Sequence, residues 1–151
     1  MNEREQIRTE IKQRLNSYRD LRAEHRQLLE EIRQLEELMA SPSSPNMDGM
    51  PRSGSGPSNP VEKLAVKHLT LLDRYKAQVA DLVAAQAVIE ETIEGLEPTE
   101  RMLARYRYIN GLTWEEVCEY ISYSWMQTHR IHGRMLNKLV EAEIEKRRAS
   151  E

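Results

Sequence analysis

The apolar residues of the first 40 positions recur in alternating steps of three and four. Arg14 and His25 fill the two gaps in this rhythm, and the apolar positions are Ile7, Ile11, Tyr18, Leu21, Leu28, Ile32, Leu35 and Met39. A heptad spacing of this kind is typical of a narrow coiled-coil seam rather than of the core face of a globular helix. The other positions are rich in Glu, Arg and Gln, which favour helix. Residues 1–40 are therefore predicted to form one long coiled-coil helix.

Residues 41–60 interrupt this pattern. Their sequence, SPSSPNMDGMPRSGSGPSNP, is dominated by Ser, Pro and Gly, and its apolar residues have no period. Such a composition predicts a flexible linker. The segment ends in a helix-start signal, because Asn59 is a good N-cap and Pro60 suits the first helical position.

Residues 61–95 repeat the heptad rhythm and are predicted to form a second coiled-coil helix. His68 and Gln86 occupy seam positions, and the apolar positions are Val61, Ala65, Leu72, Tyr75, Val79, Leu82, Ile89 and Ile93. Each long helix would measure about 50 Å, whereas a flexible linker of this length spans roughly 25 Å. An antiparallel hairpin is therefore favoured. One register joins Met39 to Val61, Leu28 to Leu72, His25 to Tyr75, Arg14 to Gln86 and Ile7 to Ile93; a shift by one heptad also matches apolar with apolar.

Shorter helices with clear start and stop signals are predicted from Leu96 onward, and residues 96–148 form the last predicted domain. The first helix runs from Pro98 to about Ile109. Capping boxes, in which a Ser or Thr N-cap is followed three residues later by Glu or Gln, start the second helix at Thr113 and the third at Ser124. The predicted small core comprises Leu103, Tyr106, Val117, Ile121, Ile131, Met135 and Leu139.

A short helix, a tight turn and a longer helix are the layout of a helix-turn-helix. The run YINGLTWEEVCEYISYSWMQTHRIHGRMLNKL carries this layout. It resembles the C-terminal helix-turn-helix of phage transcription activators of the RinA and ArpU type, which are similar to sigma-factor region 4. The matching residues are Tyr-Ile-x-Gly-x-Thr-Trp-Glu-Glu, the Tyr-Ser before the third helix, and Arg-Ile-His within it. The resemblance covers residues 61–140 well and 1–60 in general character, and Trp125, Met126 and Thr128 depart from the expected pattern. It implies a regulator of late phage genes that works with host RNA polymerase.

The third helix also carries a local basic surface. Between Ser124 and Val140 there are three cations and no acidic residue. Five residues are predicted to face outward at its start: Trp125, Met126, Gln127, His129 and Arg130. Gln127 is suited to adenine, Arg130 to guanine, and Trp125 or Met126 to a thymine methyl group. Contacts to the phosphate backbone are predicted for Thr113, Tyr123, Arg134 and Lys138. Gly133 is predicted to permit a close approach of the backbone.

Composition limits the alternatives. Apolar residues make up 39% of the chain and aromatic residues only 5%, which is too little for one spherical core but enough for paired long helices. The net charge of −3 gives no general attraction to nucleic acid, so any contact with double-stranded DNA must come from a local patch. A single cysteine, Cys118, is compatible with a reducing compartment. With a charged N-terminus and no long apolar run, a cytoplasmic location is expected, in the host cell if the chain is phage-encoded, without membrane contact.

No enzymatic activity and no cofactor are expected, because the sequence has no phosphate-binding loop and no nucleophilic triad pattern. Cys118, His129 and His132 are the conceivable metal donors. However, Cys118 is predicted on the inner face of its helix, where a buried thiol is usual. The predicted function is sequence-specific DNA binding by an all-α protein that forms homo-oligomers through residues 1–95. The alternative is a coiled-coil adaptor that binds RNA polymerase or another protein, because residues 96–151 contain nine Lys or Arg and nine Asp or Glu.

Overall fold

A computed structural model of the chain describes residues 2–41 and 59–151. The predicted linker therefore lies outside the described residues, except for its ends. Within the described ranges the chain is helical and contains no strand, which confirms the all-α prediction. The helices are α1 (Glu3–Ala40), α2 (Pro60–Ile93), α3 (Pro98–Ala104), α4 (Trp114–Ile121) and α5 (Trp125–Ala149), and a π-helical turn, Arg105–Ile109, continues α3.

The chain divides into two compact units. One comprises Met1–Leu21 and Leu82–Glu151, and the other comprises Arg22–Asp81. The three C-terminal helices thus share a unit with the first half of α1 and the end of α2.

The unit Arg22–Asp81 has a small core between α1 and α2. Its buried side chains are Leu28, Ile32, Leu35 and Leu71. The rings of His25 and Tyr75 lie 5.1 Å apart, as the predicted register pairs them. Further along α1 and earlier on α2, Glu36 accepts a hydrogen bond from His68 over 2.9 Å. The contacts therefore run in opposite directions along the two helices in this unit.

Two seam positions differ from the prediction. Leu15 is fully buried in the core of the other unit, whereas the predicted seam residue Arg14 is half-exposed, with Nη1 3.9 Å from Oε2 of Glu143. The reason is that Leu15 follows Ile11 by four residues and therefore lies on the same face of α1, which packs against several helices in this core. Arg14 lies beside that face. Met39, predicted to pair at the end of the seam, is exposed in the last turn of α1.

The core around the C-terminal helices agrees with the sequence prediction. Tyr106 packs partly buried against it, and the buried side chains include Leu103, Val117, Ile121, Ile131, Met135 and Leu139. They are joined by Ile7, Ile11, Ile89 and Ile93 from the long helices. Because the face of α4 that carries Val117 and Ile121 and the inner side of α5 contribute to one core, these helices hold each other in fixed positions.

Both predicted capping boxes are present. The backbone N–H of Glu116 donates to Oγ1 of Thr113, and that of Gln127 donates to Oγ of Ser124, each over 3.2 Å. These bonds satisfy N–H groups that a helix start leaves without partners. They explain why α4 and α5 begin where the sequence places them.

Candidate nucleic-acid interface

A turn of three residues, 122–124, separates α4 from α5. Ser122 adopts the left-handed conformation, with φ 62°, and its N–H donates to the Glu119 carbonyl. The N–H of Tyr123 donates to the Cys118 carbonyl over 3.2 Å, which closes the end of α4. Ser124 then starts α5 immediately. The direction of α5 relative to α4 is therefore set by backbone hydrogen bonds and by the shared core.

The first two turns of α5 present an unusual surface to solvent. Trp125 is 52% exposed and Met126 is 64% exposed, although both are large and apolar. Arg130 and Arg134 are also exposed, and Nη2 of Arg130 lies 3.6 Å from Sδ of Met126. The structure thus exposes four of the predicted site residues along the first three turns of α5, and it brings an apolar side chain and a guanidinium group into contact at Met126 and Arg130.

A groove of about 730 Å³ runs beside this surface, between α5 and the start of α3. An added Cβ at Gly133 would meet no atom within 4 Å, so the backbone of α5 is open to close approach there. The groove is lined by Glu97, Thr99, Glu100, Tyr123, Gln127, Arg130, Ile131, Gly133, Arg134 and Asn137. It therefore contains both cations and carboxylates.

Lys138 differs from the other predicted phosphate contacts. Its Nζ lies 2.7 Å from Oε1 of Glu100 and 3.7 Å from Oε1 of Glu97. The hydrogen bond to Glu100 raises the pKa of the lysine ammonium group. Its charge is therefore balanced within the protein. Glu100 itself is only 2% exposed, so this ion pair ties α3 to α5.

The prediction that His129 faces outward is wrong. Its imidazole lies between two indole rings, with centroids 4.6 Å from Trp114 and 4.5 Å from Trp125. Its Nε2 is buried and has no hydrogen-bond partner in residues 2–41 and 59–151. The physical reason is that Trp114, at the start of α4, covers the side of α5 on which His129 lies. His129 positions Trp125 rather than standing free at the surface.

A second histidine extends this aromatic cluster. His132 lies 4.7 Å from the Trp114 ring, and its Nε2 is within hydrogen-bond distance of the Tyr108 hydroxyl. Burial, with smaller contributions from the positive charges of neighbouring side chains, lowers the pKa of His132 to about 4. Burial also raises the pKa of Tyr108 to about 12. At neutral pH both groups are uncharged, and the imidazole tautomer decides which of them donates in this hydrogen bond.

The sequence analysis did not identify this cluster as a unit. Arg107 completes it, with its guanidinium carbon 4.7 Å from the centre of the Trp114 ring. The sequence does contain one indication of this cluster: His129 and His132 lie three residues apart and therefore share one face of α5.

Three predicted polar contacts also take part in the fold. Thr113 is exposed, and its hydroxyl oxygen accepts the capping hydrogen bond described above, while its O–H can still donate. Oε1 of Gln127 accepts from the N–H and the hydroxyl of Ser124, which leaves the amide Nε2 as the free donor. Tyr123 is exposed beside the groove. Each can therefore still make one contact to a ligand.

Two other kinds of site were sought in residues 2–41 and 59–151. No group of three or more His, Cys, Asp or Glu side chains there is arranged to hold a metal ion. None of the helices in these ranges has the length and apolar character needed to cross a membrane. Comparison with protein-family models, curated proteins and solved structures finds no match, so a functional assignment depends on the geometry of the site itself.

Proposed function

We propose that the protein is a sequence-specific DNA-binding transcription regulator in which α4, the turn and α5 act as a helix-turn-helix. In this arrangement α5 is the recognition helix and enters the major groove. The observation that carries the proposal is the exposed start of α5, where Met126 and Arg130 are in contact and Trp125 is accessible, with Arg134 exposed one turn further on. No acidic residue occurs between Ser124 and Val140 to oppose contact with DNA.

The mixed character of this surface supports DNA as the ligand. Arginine contacts the O6 and N7 atoms of guanine, and apolar side chains contact the thymine methyl group. Arg130 and Met126 provide these two chemistries one turn apart. Gln127 adds an amide donor that suits an acceptor atom on a base edge, such as N7 of a purine. We therefore infer that the base contacts come from the first two turns of α5.

Contacts to the phosphate backbone would come from the periphery of this surface. Arg134 is exposed one turn after Arg130, and the Thr113 hydroxyl lies at the N-terminus of α4, where helix N–H groups favour an anion. Gly133 permits close approach. Because few cations are involved, specific binding requires a second copy of the chain or help from RNA polymerase.

The resemblance of residues 61–140 to RinA- and ArpU-type activators suggests the biological setting. We infer activation of late phage genes together with host RNA polymerase. The long helices of residues 1–95 would then form a coiled-coil hairpin that mediates self-association. The opposite direction of α1 and α2 in the unit Arg22–Asp81 supports this arrangement.

A selection from randomised DNA duplexes tests the proposal. A regulator should enrich a short motif, and its affinity should fall with salt with a log–log slope of about −0.9 for each phosphate neutralised. Recovery of unrelated sequences only, with binding abolished at physiological salt, would contradict it.

One observation favours a second function, binding to a protein. Residues 96–151 contain nine Lys or Arg and nine Asp or Glu, so this part of the chain has no net attraction to DNA and suits a protein partner instead. In that case the chain is a coiled-coil adaptor. The double variant Arg130→Ala with Arg134→Ala should keep its partner in a pull-down if the chain is an adaptor, and should lose DNA if it is a regulator.

A further inference from the structure

The helix α2 has a second apolar face, opposite the one that contributes to the cores. Seven positions at alternating steps of four and three form its centre: Val66, Thr70, Asp73, Ala77, Ala80, Ala84 and Ala87. All seven are exposed. The adjacent aliphatic residues Leu69, Val83 and Val88 are exposed as well. These ten residues are called the outer face of α2.

The outer face exposes large aliphatic side chains that an ordinary solvent-facing helix surface does not require. Leu69 is 62% exposed and Val83 is 64% exposed. The hydroxyl of Thr70 donates to the Val66 carbonyl over 3.0 Å, so this side chain presents its methyl group instead of an unsatisfied donor. A contiguous exposed apolar surface of this kind marks an interaction site.

The charges along α2 identify the occupant. From residue 60 to 76 the helix carries four basic residues, Lys63, Lys67, Arg74 and Lys76, against the acidic Glu62 and Asp73. From residue 77 to 93 it carries no basic residue and three acidic ones, Asp81, Glu90 and Glu91. Glu90 is paired with Arg105 within the chain, so Asp81 and Glu91 are the acidic groups that remain for a partner. A helix that is basic in its first half and acidic in its second is complementary to itself when two copies run in opposite directions.

We propose that the outer face of α2 is a homodimer interface at which the α2 helices of two copies of this chain pack antiparallel. In the register that aligns the two faces, Ala77 of one copy lies opposite Ala80 of the other. Thr70 then faces Ala87, and Arg74 lies beside Asp81 on one edge.

The central side chains suit close packing of two helices. Ala77, Ala80, Ala84 and Ala87 are small, so the helix axes can approach to about 8 Å, the short end of the usual range. Asp73 explains the direction of packing. A parallel dimer would place Asp73 against its own copy, whereas the antiparallel dimer places it opposite Ala84, which leaves the carboxylate a path to solvent.

This inference deepens the proposed self-association of residues 1–95 and does not depend on DNA binding. It is tested by the mass of the full chain in solution without DNA, measured by light scattering at micromolar concentration. The wild type should have twice the 17.7 kDa chain mass. The double variant Ala80→Glu with Ala84→Glu should have the mass of one chain, because four carboxylates would meet in the interface.

A matched control carries the same changes on exposed positions of α1, Ala23→Glu with Ala40→Glu, and should stay dimeric. A monomeric wild type, or a dimer that survives the α2 substitutions, would overturn the proposal. Gel shifts of the same samples report DNA binding separately, so failure of the interface and failure of the proposed function are distinguishable.

Cross-linking tests the antiparallel direction without disturbing the charges. In a Cys118→Ala background, two single-cysteine proteins, Thr70→Cys and Ala87→Cys, are mixed and oxidised. Residues 70 and 87 are about 25 Å apart along one helix, so each variant alone should cross-link poorly and the mixture should give the mixed disulfide. Efficient cross-linking of Thr70→Cys with itself would contradict the antiparallel arrangement.

Discussion

Nζ of Lys138 lies 2.7 Å from Oε1 of Glu100 and joins α5 to the start of α3. Glu100 is buried, and its other carboxylate oxygen has no hydrogen-bond partner among the residues that the structure describes. Lys138 is therefore a structural residue rather than a free cation for DNA. Between Ser124 and Val140, the cations of α5 that remain for DNA are Arg130 and Arg134.

The first prediction concerns this ion pair. Lys138→Ala should lower the midpoint of thermal unfolding, because it leaves a buried carboxylate without its cation. Replacing both partners, with Lys138→Met and Glu100→Met, should recover much of the loss, since neither charge is then left unpaired. Circular dichroism melts of the three proteins measure this. Equal melting of Lys138→Ala and the wild type would show that the pair does not hold α3 to α5.

The second prediction separates stability from function at Gly133. A glycine inside a helix costs about 0.5–1 kcal/mol relative to alanine, and nothing in the chain approaches its Cβ position. Gly133→Ala should therefore stabilise the protein by about that amount in urea unfolding. It should also weaken DNA binding, because the added methyl group lies where the DNA backbone comes close. Tighter binding by the alanine variant would argue against close approach at this position.

The third prediction compares the two tryptophans. Trp114 packs against His129, His132 and Arg107, so Trp114→Ala should destabilise the protein by about 2–3 kcal/mol. Trp125 is exposed, and Trp125→Ala should cost less than about 1 kcal/mol while reducing DNA affinity several-fold. Urea unfolding and anisotropy titrations on the selected duplex measure the two effects. A reversed order of destabilisation would contradict the placement of the two rings.

The fourth prediction concerns pH. The pKa of His132 is lowered to about 4 in the folded state, whereas an unfolded histidine titrates near 6.5. As the pH falls, the unfolded chain therefore takes up this proton before the folded chain does. The contribution of neutral His132 to the free energy of unfolding is fully present above about pH 6.5 and is lost progressively towards pH 4. His129, Lys12, Arg107 and Arg8 add to this by disfavouring positive charge.

Comparison with His132→Gln isolates this effect from the titration of carboxylates. Gln retains an acceptor for the Tyr108 hydroxyl but does not titrate. The wild type should lose about 1–2 kcal/mol more than the variant between pH 7 and pH 4.5, after allowance for solvent screening. Identical pH profiles of the free energy of unfolding would exclude this role for His132.

Local signals in the sequence predicted the helices well. The capping boxes at Thr113 and Ser124 fix the starts of α4 and α5, because each depends on residues only three apart. The heptad rhythm likewise predicted α1 and α2, because it joins apolar residues only three or four positions apart. The π-helical turn after α3 was not predicted, since Arg105–Ile109 has the composition of an ordinary helix.

Features that depend on distant residues were missed. Lys138 and Glu100 are 38 positions apart, and no periodic pattern links them. His129 was assigned to the outer surface from its position after the cap, because the cover that Trp114 provides depends on how α4 packs. Leu15 was missed because α1 changes from a two-helix contact to a multi-helix core along its length. In each case tertiary packing, which local periodicity does not encode, decided the outcome.

The central claim is that the exposed arginines of α5 contact DNA. The most direct measurement is a gel shift of the full chain on its selected duplex at physiological salt. It compares the wild type with Arg130→Ala/Arg134→Ala and with a control that loses the same charge from the end of α5, Lys146→Ala/Arg148→Ala.

We expect a discrete complex for the wild type and the control, and at least a tenfold loss of affinity for the Arg130/Arg134 variant with an unchanged melting midpoint. Equal binding by both double variants, or equal loss in both, would contradict it, because the effect would then reflect general charge rather than the recognition surface of α5.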